Sequence, residues 1–190
     1  SWKEHINYTS TKIGKSVGIL YRLRYLLSSS IRLSLYYTLI YPYLTYCNIV
    51  WSSTYTTNLN GIFLLQKRVV RILTNSEHRA HTDTLYIQLK ILDIYNLNAF
   101  YICKFMFLYH HNMAPGCFSN LFVTNNQIHC YGTRSAHNYR SHTCRTNTKK
   151  FTILYPGPNI WNNYLVNSST IYLIANFLHV FSHIVFSDTE

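Results

Sequence analysis

The chain has 190 residues, 48% hydrophobic and only 12% charged, with 17 Lys and Arg against 6 Asp and Glu for a formal charge of +11. That apolar content excludes a disordered chain, and the length allows one domain with a real core plus an appendage. Missing acids cause the imbalance: no Asp or Glu occurs between Asp93 and Asp188. A surface built from that stretch attracts polyanions, nucleic acid first and an anionic membrane second.

In chain order, a first helix is predicted over about residues 3–27, with Ile13, Val17, Leu20, Leu23 and Leu27 as its core stripe. Lys12, Lys15 and Arg22 gather on one flank, and Arg24 falls within the apolar face, its stem packed and its head reaching water. The serines at 28–30 break this helix and cap the next. A second helix is expected over 31–51, its seam formed by Leu33, Tyr37, Ile40, Leu44, Cys47 and Trp51, with Pro42 kinking or splitting it near Tyr41. Residues 56–60 read as a turn or cap. A third helix follows over 59–74, with Ile62, Leu65, Val69, Ile72 and Leu73 inward, Lys67 and Arg71 sharing an outer face, and Arg68 beside it.

A polar loop at 75–82 precedes a short helix at 85–92. Asp93 is an N-cap for a longer helix over 94–111, with Leu97, Tyr101, Lys104, Phe105 and Leu108 on one side and Ala114-Pro115-Gly116 as its stop. From 117 to 150 the periodicity fades into an extended, loop-rich basic arm carrying Arg134, Arg140, Arg145, Lys149 and Lys150, interleaved with Tyr131 and Tyr139. A short strand is expected at 151–155, a turn at Pro156-Gly157-Pro158 and a small helix anchored by Trp161. The apolar segment 171–186 reads as a packed or interfacial helix. The fold class is therefore mainly α, with little strand.

Five blocks in fixed order carry a family likeness: WKEHI with KIGKSVGILYRLR, LIYPYLTYCNIVW, LQKRVVRIL, IHCYGTRSAHNYR and GPNIWNN. Together they resemble the region after the polymerase core in reverse transcriptases of jockey-like non-LTR retrotransposons, covering about residues 2–167. The sequence departs from that pattern after Asn162, where Ser-Leu-Pro is usual, and in a tail without Lys or Arg over 171–186. The resemblance implies a helical thumb-like domain over 1–114 and a loop-rich C-terminal arm with a terminal apolar helix over 115–190. It also implies RNA and DNA (a template–primer) as partners, together with a polymerase palm that the chain lacks. Gripping of the nucleic-acid backbone then falls to Lys12, Lys15, Arg22, Lys67, Arg68, Arg71, Tyr131, Arg134, Arg140, Arg145, Lys149 and Lys150, because cations contact phosphates and aromatics stack on unpaired bases.

Catalysis is not expected in this chain. Two-metal nucleotide transfer needs closely placed carboxylates, and the six acids are scattered with no Asp-Asp pair. No cofactor is expected either, the divalent metal belonging to the palm. Cys130, His137, His142 and Cys144, with His129 adjacent, offer zinc-type ligands, but their spacing matches no common knuckle. The odd count of five cysteines and the polar start predict free thiols in a reducing, intracellular compartment, cytoplasm or nucleus. Two alternatives stand beside this reading. One is a relic or stand-alone helical interaction module. The other is a membrane-associated protein using 31–51 and 171–186.

Overall fold

The computed structural model describes residues 2–129 and 131–166. The described chain is mainly helical, with nine α-helices, two short 3-10 turns and one isolated bridge between Thr124 and Tyr139. The chain divides into two compact units, Ser1–Ala99 and Phe100–Glu190. The division falls within α7 (Ile94–His110).

In the first unit, α1 (Lys3–Leu23) makes its most extensive helix contact with α5 (Thr56–Leu73). Ile6, Thr9, Ile13, Val17 and Leu20 form the buried stripe of α1, and Leu59, Ile62, Gln66, Val69, Val70, Ile72 and Leu73 that of α5. The predicted stripe holds through Leu20. The helix then ends at Leu23, four residues early, and a tight turn takes Leu26 into solvent. The next helix, α2 (Ser29–Leu39), begins where expected: the Ser28 side chain accepts from the Ile31 N–H. Ser16 Oγ donates to the Leu39 carbonyl at 3.3 Å, fastening the end of α2 to α1.

The segment 31–51 splits near Tyr41, as Pro42 predicts, and breaks once more, so the expected continuous seam is three helices. Pro42 sits in the first turn of α3 (Tyr41–Thr45), where its missing N–H costs nothing. A second break falls at Cys47, whose φ of 47° is left-handed, ahead of α4 (Asn48–Trp51). Two side chains hold this break. Trp51 Nε1 donates to the Tyr46 carbonyl at 2.7 Å, and Asn48 Nδ2 to that of Leu44 at 2.7 Å. The breaks change the register, so Arg32, Tyr36 and Asn48 are buried while Tyr37 and Cys47 are exposed and Leu33 is half-buried. A continuous periodicity rule fails once the helix axis changes direction.

After α6 (Asp83–Leu89), α7 opens with its first three N–H groups satisfied. Asp93 Oδ1 accepts from Tyr95 and Asn96, each at 2.9 Å, as its N-cap role predicts. Gln66, 1% exposed, supplies the third acceptor: its Oε1 takes the Ile94 N–H at 2.8 Å while its Nε2 donates to the Leu92 carbonyl at 3.4 Å. The carboxamide thus stitches α5 to the entrance of α7.

The second unit has its own core of Ile102, Met106, Phe122, Tyr139 and Trp161. Lys104 is exposed and Ile102, Cys103 and Met106 are buried, so α7 is not one-sided as expected. The helix stops at an αL residue, Asn112, with Met113 N–H donating back to the Leu108 carbonyl at 2.8 Å. The segment that read as an extended arm closes on itself: Arg140 N–H donates to Val123 O, Asn125 N–H to Asn138 O and Asn126 N–H to Ala136 O. Residues 151–155 form turns in place of the expected strand. Pro156, expected in a turn, is instead the first residue of α9 (Pro156–Val166), the helical position proline suits best. Gly157 packs so closely that an added Cβ would lie 3.0 Å from Met106 Sδ. Trp161 is buried, as its anchoring role predicts.

No single described helix is long and apolar enough to cross a membrane; α6 and α7 pass that test only together, bent by 48°. The segment 31–51 is divided by the breaks above, and 171–186 lies outside the described residues.

Replacing Gln66 with leucine keeps the volume but leaves the buried Ile94 N–H without its acceptor. Urea denaturation of Gln66→Leu should show a loss of about 1–3 kcal/mol, and an unchanged midpoint would show that the N–H finds another partner. Alkaline stability is the second expectation. Burial raises the phenols of Tyr36 and Tyr86 above their ordinary value of 10.0, and raises the Cys103 thiol from 9.0 to about 11. A raised folded-state pKa means that the native chain holds these protons more tightly than the unfolded chain. The stability they contribute is complete below about pH 9 and falls as pH rises beyond it. A melting temperature that declines above that pH, with a further step of phenolate absorbance on unfolding as Tyr36 and Tyr86 reach water, is the expected result. A flat profile contradicts it.

Candidate nucleic-acid interface

The predicted cations of the first unit do not form one patch. Lys15 and Arg22 are exposed on α1, and Lys12 is half-buried with its Nζ 5.3 Å from the Tyr8 ring centroid. On α5 the three basic residues turn to three different neighbours. Lys67 Nζ lies 4.4 Å from the Phe63 ring, which itself packs on Tyr95. Arg71 is half-buried and its Nε donates to the Ala80 carbonyl at 2.9 Å, closing the 75–82 loop onto α5. Only Arg68 is exposed and directed at α1, its guanidinium 5.7 Å from the Tyr21 ring. The helical step of about 100° separates Lys67 from Arg68, whereas Lys67 and Arg71 share a face and part through their partners, Phe63 and the Ala80 carbonyl.

Where Arg68 meets α1 there is a cluster that the helical periodicity did not mark for binding. The Arg24 guanidinium lies 4.3 Å from the Tyr21 ring and 4.4 Å from the Tyr25 ring, and its Nη2 donates to Tyr25 Oη at 2.6 Å. Tyr21 is 44% exposed and Tyr25 72%. Beneath it, buried Arg32 donates from Nη1 to the Arg24 carbonyl at 2.8 Å, fixing the last turn of α1. A cation placed on the free carbonyls at a helix C-terminus is favourable in both hydrogen bonding and dipole terms. The signal available in sequence was the spacing: aromatic residues three before and one after an arginine at a helix end. The helical stripe hid it by placing Arg24 on the apolar side.

In the second unit, Tyr131 is 77% exposed, and Arg134, Arg140, Arg145, Lys149 and Lys150 are exposed. Lys149 and Lys150 form the end of α8 (Asn147–Lys150), which Thr146 caps through the Lys149 N–H. Tyr139 cannot stack on a base as expected, because it is 8% exposed within the core. Asn162 clamps its backbone from both sides: Oδ1 accepts the Tyr139 N–H at 3.1 Å, and Nδ2 donates to its carbonyl at 2.8 Å. The two late sequence blocks are therefore structural partners.

Beside this clamp is a cleft of about 480 Å³, lined by residues that include Tyr109, His110, Asn112, Asn120, Phe122 and Tyr139. His110 Nδ1 and Tyr139 Oη are 3.0 Å apart. The Tyr109 hydroxyl accepts from Phe122 N–H and has the Ser119 and Phe122 carbonyls each within 3.0 Å, so it serves loop closure. No carboxylate occurs in 100–166, so no Asp or Glu of this stretch can orient His110 for acid–base work. Among the described residues no group of three or more His, Cys, Asp or Glu could hold a metal. His137 and His142 are exposed, Cys144 Sγ lies 3.5 Å from the His142 carbonyl, and Cys130 lies outside the described residues. Cys47, Cys103, Cys117 and Cys144 are free thiols.

Comparison of the chain with protein-family models, with curated proteins and with solved structures finds no match.

The different engagements of Arg71 and Arg22 predict different costs. Arg71→Ala should lower stability by about 1.5–3 kcal/mol, the range for hydrogen bonds to charged groups, and expose the 75–82 loop to protease. Arg22→Ala should stay within about 0.5 kcal/mol of the parent. Equal unfolding midpoints for the two variants would contradict this assignment.

Proposed function

We propose that this chain is the nucleic-acid-binding part of a non-LTR retrotransposon RNA-directed DNA polymerase. In this reading it grips template–primer backbone while a separate palm performs the chemistry. The supporting observation is that Lys15 and Arg22 of α1 and Arg68 of α5 each reach solvent. The acid-poor composition adds to it, since few carboxylates compete with phosphate for these groups. The ordered sequence blocks supply the particular enzyme class. Two of them, IHCYGTRSAHNYR and GPNIWNN, are joined by the Asn162 clamp, which gives the late blocks a common structural task. Contacts of this kind are with backbone phosphate and tolerate any base sequence.

Fluorescence anisotropy with a short RNA–DNA hybrid tests the proposal. Affinity should fall steeply with salt, and alanine at Lys15, Arg22, Lys67 and Arg68 should flatten the log–log slope by up to about 0.9 for each phosphate that is no longer neutralised. Arg71 is left intact because its guanidinium holds the 75–82 loop. An unchanged slope in the fourfold variant, or no binding at low salt, overturns the proposal.

A further inference from the structure

We infer that the end of α1 is a stacking platform for an unpaired base, with Tyr25 as the receiving ring. The inference rests on the nucleic-acid-binding reading and adds to it the class of ligand: single-stranded nucleic acid at a junction with duplex. Phosphate contacts alone do not ask for aromatic rings in solvent. Here two rings are held outside the core by a guanidinium. Arg24 lies against both Tyr21 and Tyr25 and hydrogen-bonds the Tyr25 hydroxyl. Arg68 approaches Tyr21 from α5. Tyr21 is thus engaged by two cations, whereas Tyr25 meets one and keeps 72% of its surface in water, next to Leu26 at 79%.

Backbone hydrogen bonds hold the turn that carries Tyr25. Leu26 and Leu27 N–H groups both donate to the Leu23 carbonyl, and buried Arg32 holds the Arg24 carbonyl. A preordered ring loses little entropy when a base settles on it. Arg24 and Arg68 beside the rings neutralise the phosphates flanking that base, and their charge adds a cation–π component to the stack. The interior of a fully paired duplex cannot use this surface, because its base faces are covered by their neighbours. Unpaired bases offer the needed face.

The test uses the full chain and three probes: a blunt RNA–DNA hybrid, the same hybrid with a short single-stranded overhang, and the same overhang made of abasic sites. The base-bearing overhang should bind roughly 5- to 160-fold more tightly than the abasic one, the range for one stacked base. Tyr25→Ala should erase that difference while leaving affinity for the abasic probe unchanged, and Tyr25→Phe should retain it. Equal affinity for the two overhangs, as expected if the surface docks a protein instead, overturns the stacking platform while phosphate binding stands. A preference that survives Tyr25→Ala also overturns it. No binding to any probe at low salt overturns both readings.

Discussion

Docking of α1 on α5 is the constraint from which the first unit follows. Neither helix can bury its apolar stripe alone, and most of a helix's stability in a protein comes from packing that face. Once Ile13, Val17 and Leu20 are covered in the unit's core together with Ile62, Val69 and Leu73, the pair offers surfaces on either side. The α2–α3 corner closes over one of them, fastened by Ser16 to Leu39. The same docking puts Arg68 against Tyr21, so the exposed cationic cluster is a by-product of core packing. A change that displaced α5 would disperse the cluster as well as open the core.

Polar side chains decide where these helices stop and turn. Gln66, Asp93, Asn48, Trp51 and Arg32 each satisfy backbone groups that a helix end would otherwise leave bare. Three of them, Gln66, Asn48 and Arg32, are buried on helix faces that an amphipathic pattern reserves for apolar residues. An unsatisfied buried peptide group costs as much as a deleted core methylene or more, so such residues select one chain path among several that bury similar apolar area. Arg32 links this structural role to the surface, since the turn it holds carries Tyr25.

The second unit shows how a segment poor in periodicity can still be ordered. Its aromatic core of Phe122, Tyr139 and Trp161 is drawn from the end of a loop, its far side and a short helix. The Asn162 clamp sets the register between loop and helix without a strand. With no carboxylate in 100–166, the exposed arginines and lysines of this unit meet no acidic side chain from that stretch. Arg134, Arg140, Arg145, Lys149 and Lys150 among them face solvent, where an external polyanion can reach them.

Local sequence determined a good deal here: the helical class, the stripes of α1 and α5, the Ser28 and Asp93 caps, the kink at Pro42, and the basic, acid-poor character. All of these depend on spacing within a few turns or on residues with strong backbone preferences. Tertiary structure alone decided the rest. Past Cys47 the burial register shifts to Asn48, whose Oδ1 accepts from Asn98 Nδ2 of α7 at 3.2 Å. Tyr139 goes inward because Asn162 and Trp161 arrive from later in the chain. Gly157 has no room for a side chain because α9 packs it against Met106 and Phe122. The α5 cations part company because α1, Phe63 and Ala80 lie in different directions. Arg24 becomes part of a surface cluster because α1 ends at Leu23, and that end is set by an arginine eight residues on. Periodicity reports which face of a helix is apolar; which buried polar group finds a partner, and where a cation ends up, depends on contacts between elements that no local window contains.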